Sequence, residues 1–287
     1  MSAQDYAFTR RFGIEIEFFG NAYNAAQRIT QAGESCVPEH YNHAARSHWK
    51  MVSDASVSHN LANGGELVSP VLRGEEGIAS AKRALSALAS GADIFVNRQC
   101  GFHAHFDVSD FTLNQFKALA KFWLKYEDIM ESLVSPSRRG NAIYCRSNLN
   151  VFRMASDMDS TIADAKARKV NADCKAVARA FAAVDACTTI EQIANLFGTR
   201  YMKCNFEAYF RHRTIEFRLH QGTTNPEKVE RWLRLLNYFI EGARRVRGVP
   251  ARKDDGKDGI DRISHLLHSG TNSELRRYFV RRARALA

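Results

Sequence analysis

Residues 213–220 read Arg-Thr-Ile-Glu-Phe-Arg-Leu-His, so Thr214, Glu216, Arg218 and His220 alternate with Ile215, Phe217 and Leu219. As an extended strand this puts four polar, chemically active side chains on one face and three apolar ones on the other. A solvated strand face would alternate too, but it has no need of Glu beside Arg. Three other stretches repeat the design. In Phe12-Gly-Ile-Glu-Ile-Glu-Phe-Phe19, Glu15 and Glu17 share a face, about 7 Å apart along the strand. Two acids so placed repel each other, and a cation near them is one physical explanation, a merely soluble face the other. Glu66 opens a strand after Gly64 and Gly65, whose missing side chains permit close backbone approach. In Gly101-Phe-His-Ala-His-Phe-Asp-Val108, His103, His105 and Asp107 share a face, and two imidazoles two residues apart can reach one site.

The elements that must position these residues are legible to different degrees. Residues 21–31 and 75–90 predict helices, the second ended by Gly91. Thr112 and Gln115 form a capping-box pattern before an apolar stripe from Phe116 to Val134. Asn225 and Pro226 announce a helix with the stripe Val229, Trp232, Leu233, Leu236, Phe239, Ile240 and Ala243. Residues 33–65 read as loop with short extended pieces, and 157–197 as three short helical patterns. Residues 252–259 form a charged linker, and a last helix over 273–286 buries Leu275, Tyr278, Phe279 and Leu286 while presenting five arginines.

A chain of 287 residues with 45% hydrophobic content supports one large α/β domain with an appendage. No run of about 18 apolar residues and no signal-peptide layout is seen, so the expectation is a cytoplasmic protein with no membrane partner. The six cysteines stand singly, which predicts reduced thiols. The net charge of +10 is concentrated beyond residue 241, where twelve Lys and Arg face five Asp and Glu. That basic tail reads either as a contact for nucleic acid or another polyanion, or as a solvated helix.

Taken in order, Gly-Ile-Glu15-Ile-Glu17-Phe, Trp49 with Asp54-Ala-Ser56, Gly-Glu66-Leu-Val-Ser-Pro, Cys-Gly-Phe-His103-Ala-His105 and Thr-Ile-Glu216-Phe-Arg218 resemble the amidoligase family, over about residues 10–245. That family belongs to the glutamine-synthetase and glutamate–cysteine-ligase superfamily of carboxylate–amine ligases. The resemblance implies an α+β fold: a curved, mostly antiparallel sheet with its site on the concave face and helices behind. The chain then divides into a catalytic domain over 10–248 and a linker with basic helical tail over 249–287. The implied reaction is ATP-dependent amide or isopeptide formation through an acyl phosphate, with Mg2+ or Mn2+ bridging anionic reactants. Residue by residue, Glu15, Glu17, Glu66, His103 and Glu216 resemble the metal ligands, and His105 a second histidine near the phosphates. Arg218 resembles the arginine that neutralises the transferring phosphoryl group, a task suited to its fixed fork. Arg138, Arg139, Lys203, Asn205 and Arg213 stand as nucleotide or substrate contacts. Asp54 and Ser56 line the amine or carboxylate site, with Asp54 free to take a proton from the attacking amine. Where the synthetases carry an arginine two residues before the core-strand glutamate, this chain has Thr214, so ammonia as the amine and a dodecameric assembly are open.

Two other readings compete. A zinc-dependent hydrolase would use His103, His105 and the glutamates without ATP, though zinc favours more histidine or cysteine. A nucleic-acid-binding module would rest on the C-terminal arginines, which lack interleaved aromatics for base stacking. The substrates, whether peptide, protein or small amino compound, and the oligomeric state are not legible.

Overall fold

The computed structural model describes residues 8–59, 62–140, 142–249 and 273–287, without the side chains of 54–59, 62, 63, 166 and 273. The fold is α+β, with an open, mostly antiparallel sheet and helices. Backbone contacts divide it into two compact units. One takes residues 4–107 with 216–237, and the other residues 108–215 with those from 238 onward.

The first unit holds strands β1 (Arg11–Phe19), β2 (Cys36–Glu39), β3 (Trp49–His59), β4 (Ala62–Val68), β5 (Leu72–Arg73) and β6 (Gly101–Asp107). Strand β8 (Thr214–Gln221) enters it at Glu216. The sheet order is β2-β3-β4-β1-β6-β8, with β5 paired to the end of β1. β1 runs antiparallel to β4, β5 and β6, and β3 antiparallel to β4; β2 and β3 are parallel. The predicted alternation holds: Phe12, Ile14, Ile16 and Phe18 of β1, Phe102, Ala104 and Phe106 of β6, and Phe217 and Leu219 of β8 are all buried. Helices α1 (Ala22–Gln31) and α2 (Gly74–Ala89) contribute Ala25, Ile29, Ile78, Leu85 and Leu88 to the buried set, as the opening of α7 (Pro226–Arg245) does Val229, Trp232 and Leu233. Asn21 caps α1 by accepting from the Asn24 N–H, as Asn225 caps α7 by accepting from Lys228.

The stretch 33–65, expected to be mostly loop, is mostly strand. β3 and β4 pair from Lys50↔Val68 to Ser53↔Gly65 and again at Ser58↔Asn63, with an irregularity between. Gly65 packs tightly there: a Cβ would stand 3.0 Å from the Phe18 ring of the neighbouring strand, closer than an ordinary contact. β3 carries three serines and β4 an asparagine and two glycines, and their extended form comes from pairing, of β4 with β1 and of β3 with β4 and β2, rather than from a local pattern.

In the second unit, α3 (Leu113–Ser132) starts with the predicted capping box of Thr112 and Gln115. The stretch 157–197 is a single long helix, α4 (Ala165–Ala186), and a short α5 (Ile190–Asn195), instead of three short ones. Strand β7 (Cys204–Asn205) and helix α6 (Ala208–His212) precede β8. The last helix, α8 (Ser273–Leu286), buries Leu275 and Phe279. Its Arg282 Nε donates to the Leu133 carbonyl at 2.6 Å, and Arg139 Nη2 donates to the Leu286 carbonyl at 2.8 Å. Tyr278 and Leu286, expected inside, are only half-buried. The charged linker at 252–259 lies outside the described residues. All six cysteines are free thiols. No described helix is long and apolar enough to cross a membrane.

Candidate active site

Strand register brings the sequence's scattered acids and imidazoles together. Glu15 stands opposite His103 on β6 and opposite Val68 on β4, and Glu17 stands opposite Glu66. Residues directly opposite share a face, so Glu15, Glu17, Glu66 and His103 lie on the face away from the buried phenylalanines. Two carboxylates directly opposed on paired strands repel, and the fold keeps them there nonetheless.

The contacts converge on His103, His105, Glu15 and Glu216. His103 Nδ1 lies 3.3 Å from Glu15 Oε2 and 3.6 Å from Glu216 Oε1. His105 Nε2 lies 3.4 Å from Glu15 Oε1 and 3.8 Å from Glu216 Oε1. Arg218 Nη1 donates to Glu216 Oε1. The Gly101 N–H donates to Glu17 Oε2 at 2.5 Å, and Glu17 Oε1 is 3.8 Å from His103 Nε2. Among the described residues, two sets could each hold a cation: Glu15, Glu66 and His103, and Glu15, His105 and Glu216. In each, one ligand atom per residue lies within 4.8 Å of the others, and Glu15 is common to both.

Burial alone would raise the Glu15 carboxyl, but hydrogen bonds and charge from His103 and His105 hold it well below the usual carboxylate range. Burial likewise pushes Glu216 up, and Arg218, then His105 and His103, outweigh it. His105 is raised: burial works against its charge, and Glu216 and Glu15 overcome burial. Both carboxylates are therefore anionic near neutral pH and ready to act as hard oxygen ligands.

The structure gathers five of the residues singled out as ligands or phosphate contacts into the two sets, with Glu17 and Arg218 beside them. His220, placed on the same strand face by alternation, is not with them. It is buried, its ring 4.9 Å from Trp232 and 5.6 Å from Phe102, and its Nδ1–H donates to the Gln221 carbonyl. Asp107 lies outside both sets. Asp54 and Ser56 are on β3, with side chains outside the described residues.

The five residues assigned to nucleotide or substrate contacts belong to the other unit. Lys203 is fully buried, donating to the carbonyls of Gly140 and Cys145 and pairing with Glu131 at 3.0 Å. Asn205 Oδ1 accepts from the Glu207 N–H, and Arg139 bonds the Val134 and Leu286 carbonyls. Arg138 is buried. Arg213 takes the left-handed conformation that closes α6, with its guanidinium 4.6 Å from the Tyr209 ring centre and 3.7 Å from Glu191.

The sequence reading missed Lys50. It stands opposite Val68, in the row that continues to Glu15, and is buried with its ammonium on Asn42 O, Asn42 Oδ1 and Ala44 O at 2.8–3.0 Å. A strand reading of Trp49-Lys-Met-Val, with Trp49 and Met51 apolar, was the available signal. Nearby, Glu39 accepts two hydrogen bonds from Arg46 Nε and Nη2 at 2.9 and 3.0 Å, and one from Asn42 at 2.8 Å, closing the 39–48 loop on itself.

A family model described as a putative amidoligase enzyme matches residues 8–240. The chain matches no curated protein. The match takes in every strand that carries the acidic and imidazole cluster, and the chain belongs to this amidoligase family.

Proposed function

We propose that this amidoligase-family chain is an ATP- and Mg2+-dependent carboxylate–amine ligase that forms an amide or isopeptide bond through an acyl phosphate. The observation that carries the reading is the shared carboxylate: Glu15 belongs to two adjacent ligand sets, each completed by a histidine and a second glutamate. The donor chemistry fits a pair of divalent cations. Glu15 and Glu216 offer oxygens kept anionic by their surroundings, and Glu17 and Glu66 stand opposite each other on paired strands. Glu15, Glu66 and His103 would hold one ion and Glu15, His105 and Glu216 the other, with Mn2+ able to replace Mg2+. Such ions would neutralise the phosphate and carboxylate oxygens of the reactants.

In the reaction, a carboxylate oxygen attacks the γ-phosphorus and ADP leaves; an amine then attacks the acyl carbon, phosphate leaves, and the amine loses a proton. Arg218 is suited to the first step, since its guanidinium is held at the cluster by Glu216 and can offer further N–H groups to a phosphoryl oxygen. Asp54 is proposed to accept the amine proton in the second.

Melting of the full chain tests this. Mg2+ with ATP should raise the melting temperature, since ligand at about 100 times its Kd adds about 2.7 kcal/mol. ATP without Mg2+ should do much less. A larger shift with Zn2+ alone, and none added by ATP, would refute the reading in favour of a zinc hydrolase. ADP release, screened over paired carboxylates and amines, would then identify substrates.

A further inference from the structure

We propose that Gly101 is a positioning residue of this site, holding Glu17 by its backbone N–H and leaving, by its lack of a side chain, the space in which Glu17 and His103 face each other. The inference rests on the reading of the cluster as a cation site. Glu17 stands in neither of the two ligand sets. One of its oxygens accepts from the Gly101 N–H at 2.5 Å, a short charge-assisted bond, and the other lies 3.8 Å from His103 Nε2. The opposite nitrogen of the same ring, Nδ1, faces Glu15 and Glu216. His103 thus has a carboxylate 3.8 Å behind Nε2 while Nδ1 faces the cluster, and a small approach would complete the arrangement by which carboxylates commonly fix a ligating imidazole.

The glycine is what makes this possible. A Cβ at 101 would stand 2.7 Å from His103 Nε2 and 3.3 and 3.4 Å from the two Glu17 oxygens. Those neighbours are the free ends of side chains, so the fold can yield to a methyl group while the two groups are pushed apart. Gly13, beside His105 on the neighbouring strand, is the contrasting case: a Cβ there would meet only Ser69 Oγ at 3.6 Å and His105 Cβ at 3.9 Å, ordinary contacts.

The test is Mn2+ titration of the full-length protein, followed by calorimetry and the spin-resonance signal of free Mn2+. Gly101→Ala should weaken Mn2+ binding by about ten- to a hundredfold, the usual effect of losing a group that orients a ligand, while Gly13→Ala stays within about twofold. In the metal-free protein, the 15N signals of the His103 ring should move in Gly101→Ala and those of His105 should not. Glu17→Asp, too short to span from the Gly101 N–H to His103, should weaken Mn2+ and move the metal-free His103 ring signals as Gly101→Ala does, and those signals decide the matter if Gly101→Ala does not fold. Unchanged Mn2+ affinity in either folded variant, or equal weakening by Gly13→Ala, would overturn the inference. An unaltered chain that binds no Mn2+ would overturn the cation-site reading and the inference with it.

Discussion

Glu216→Gln is expected to destabilise the metal-free protein by about 2 kcal/mol, the opposite of what mutual repulsion among the acids would suggest. The reasoning is a balance of neighbours. Glu216 and Arg218 are in contact, with side chains only 6% and 16% exposed. At an effective dielectric of about 20, a charge pair at about 4 Å is worth about 4 kcal/mol. Against this, Glu15 lies within 4.8 Å of Glu216, a repulsion of about 3.5 kcal/mol on the same scale. His105 at 3.8 Å, held toward its charged form by the two glutamates, tips the balance to attraction. Glutamine keeps an oxygen for Arg218 but strands its buried charge, and breaking such pairs from one side costs about 3–5 kcal/mol in general. Glu66→Gln, which relieves the opposition to Glu17, should by contrast leave metal-free stability unchanged or slightly higher. The assay is urea unfolding in EDTA, followed by tryptophan fluorescence, with the Glu216→Gln, Arg218→Met and double variants forming a cycle. A Glu216→Gln protein as stable as the unaltered one, or a cycle without coupling, would refute the reasoning.

Three further outcomes are expected. Phe279→Ala should cost about 3–5 kcal/mol in the same unfolding assay, because the ring on α8 is 1% exposed; a loss below about 1 kcal/mol would mean the helix is not docked. A truncation ending at Gly259 should, for the same reason, lower the melting temperature; an unchanged one would mean that α8 adds nothing to the stability of the fold. Glu39, held by Arg46, Asn42 and His48, should titrate at about 2 by carbon NMR. Because that value lies below the unfolded one, the stability Glu39 lends is complete above about pH 4.3 and disappears as the pH falls toward 2; a midpoint near 4.3 would refute the loop's closure.

The site was legible where alternation and burial agree. In β1, β6 and β8 every second residue over the central stretch is apolar, so the positions of Glu15, Glu17, His103, His105, Glu216 and Arg218 follow from period two. The same rule misplaced His220, because at the end of β8 a nearby tryptophan and phenylalanine offer the imidazole an apolar home that no pattern encodes. The strand from Glu66 was legible, but β3 and the start of β4 were hidden because serine, asparagine and glycine carry little strand signal, and Gly65 packs close to Phe18 of another strand. α4 looked broken because basic and acidic residues interrupt its stripe, although packing keeps Ala176, Val177, Ala180 and Val184 inside. Lys203 looked like a free cation in sequence; only the three-dimensional structure supplies the carbonyls that surround it.

Two of the strands that build the cluster, β6 and β8, are neighbours in the sheet but far apart in the chain: β6 ends at Asp107 and β8 begins at Thr214. Everything between is one excursion that leaves a ladder strand and returns to the strand alongside. Closing a longer excursion costs little, since doubling its length adds only about 0.6 kcal/mol. The closure term by itself therefore sets little constraint on the length of the segment 108–213. The strand order also means that a nascent chain carries most of its ligands early, but completes the cluster only when residue 218 has left the ribosome.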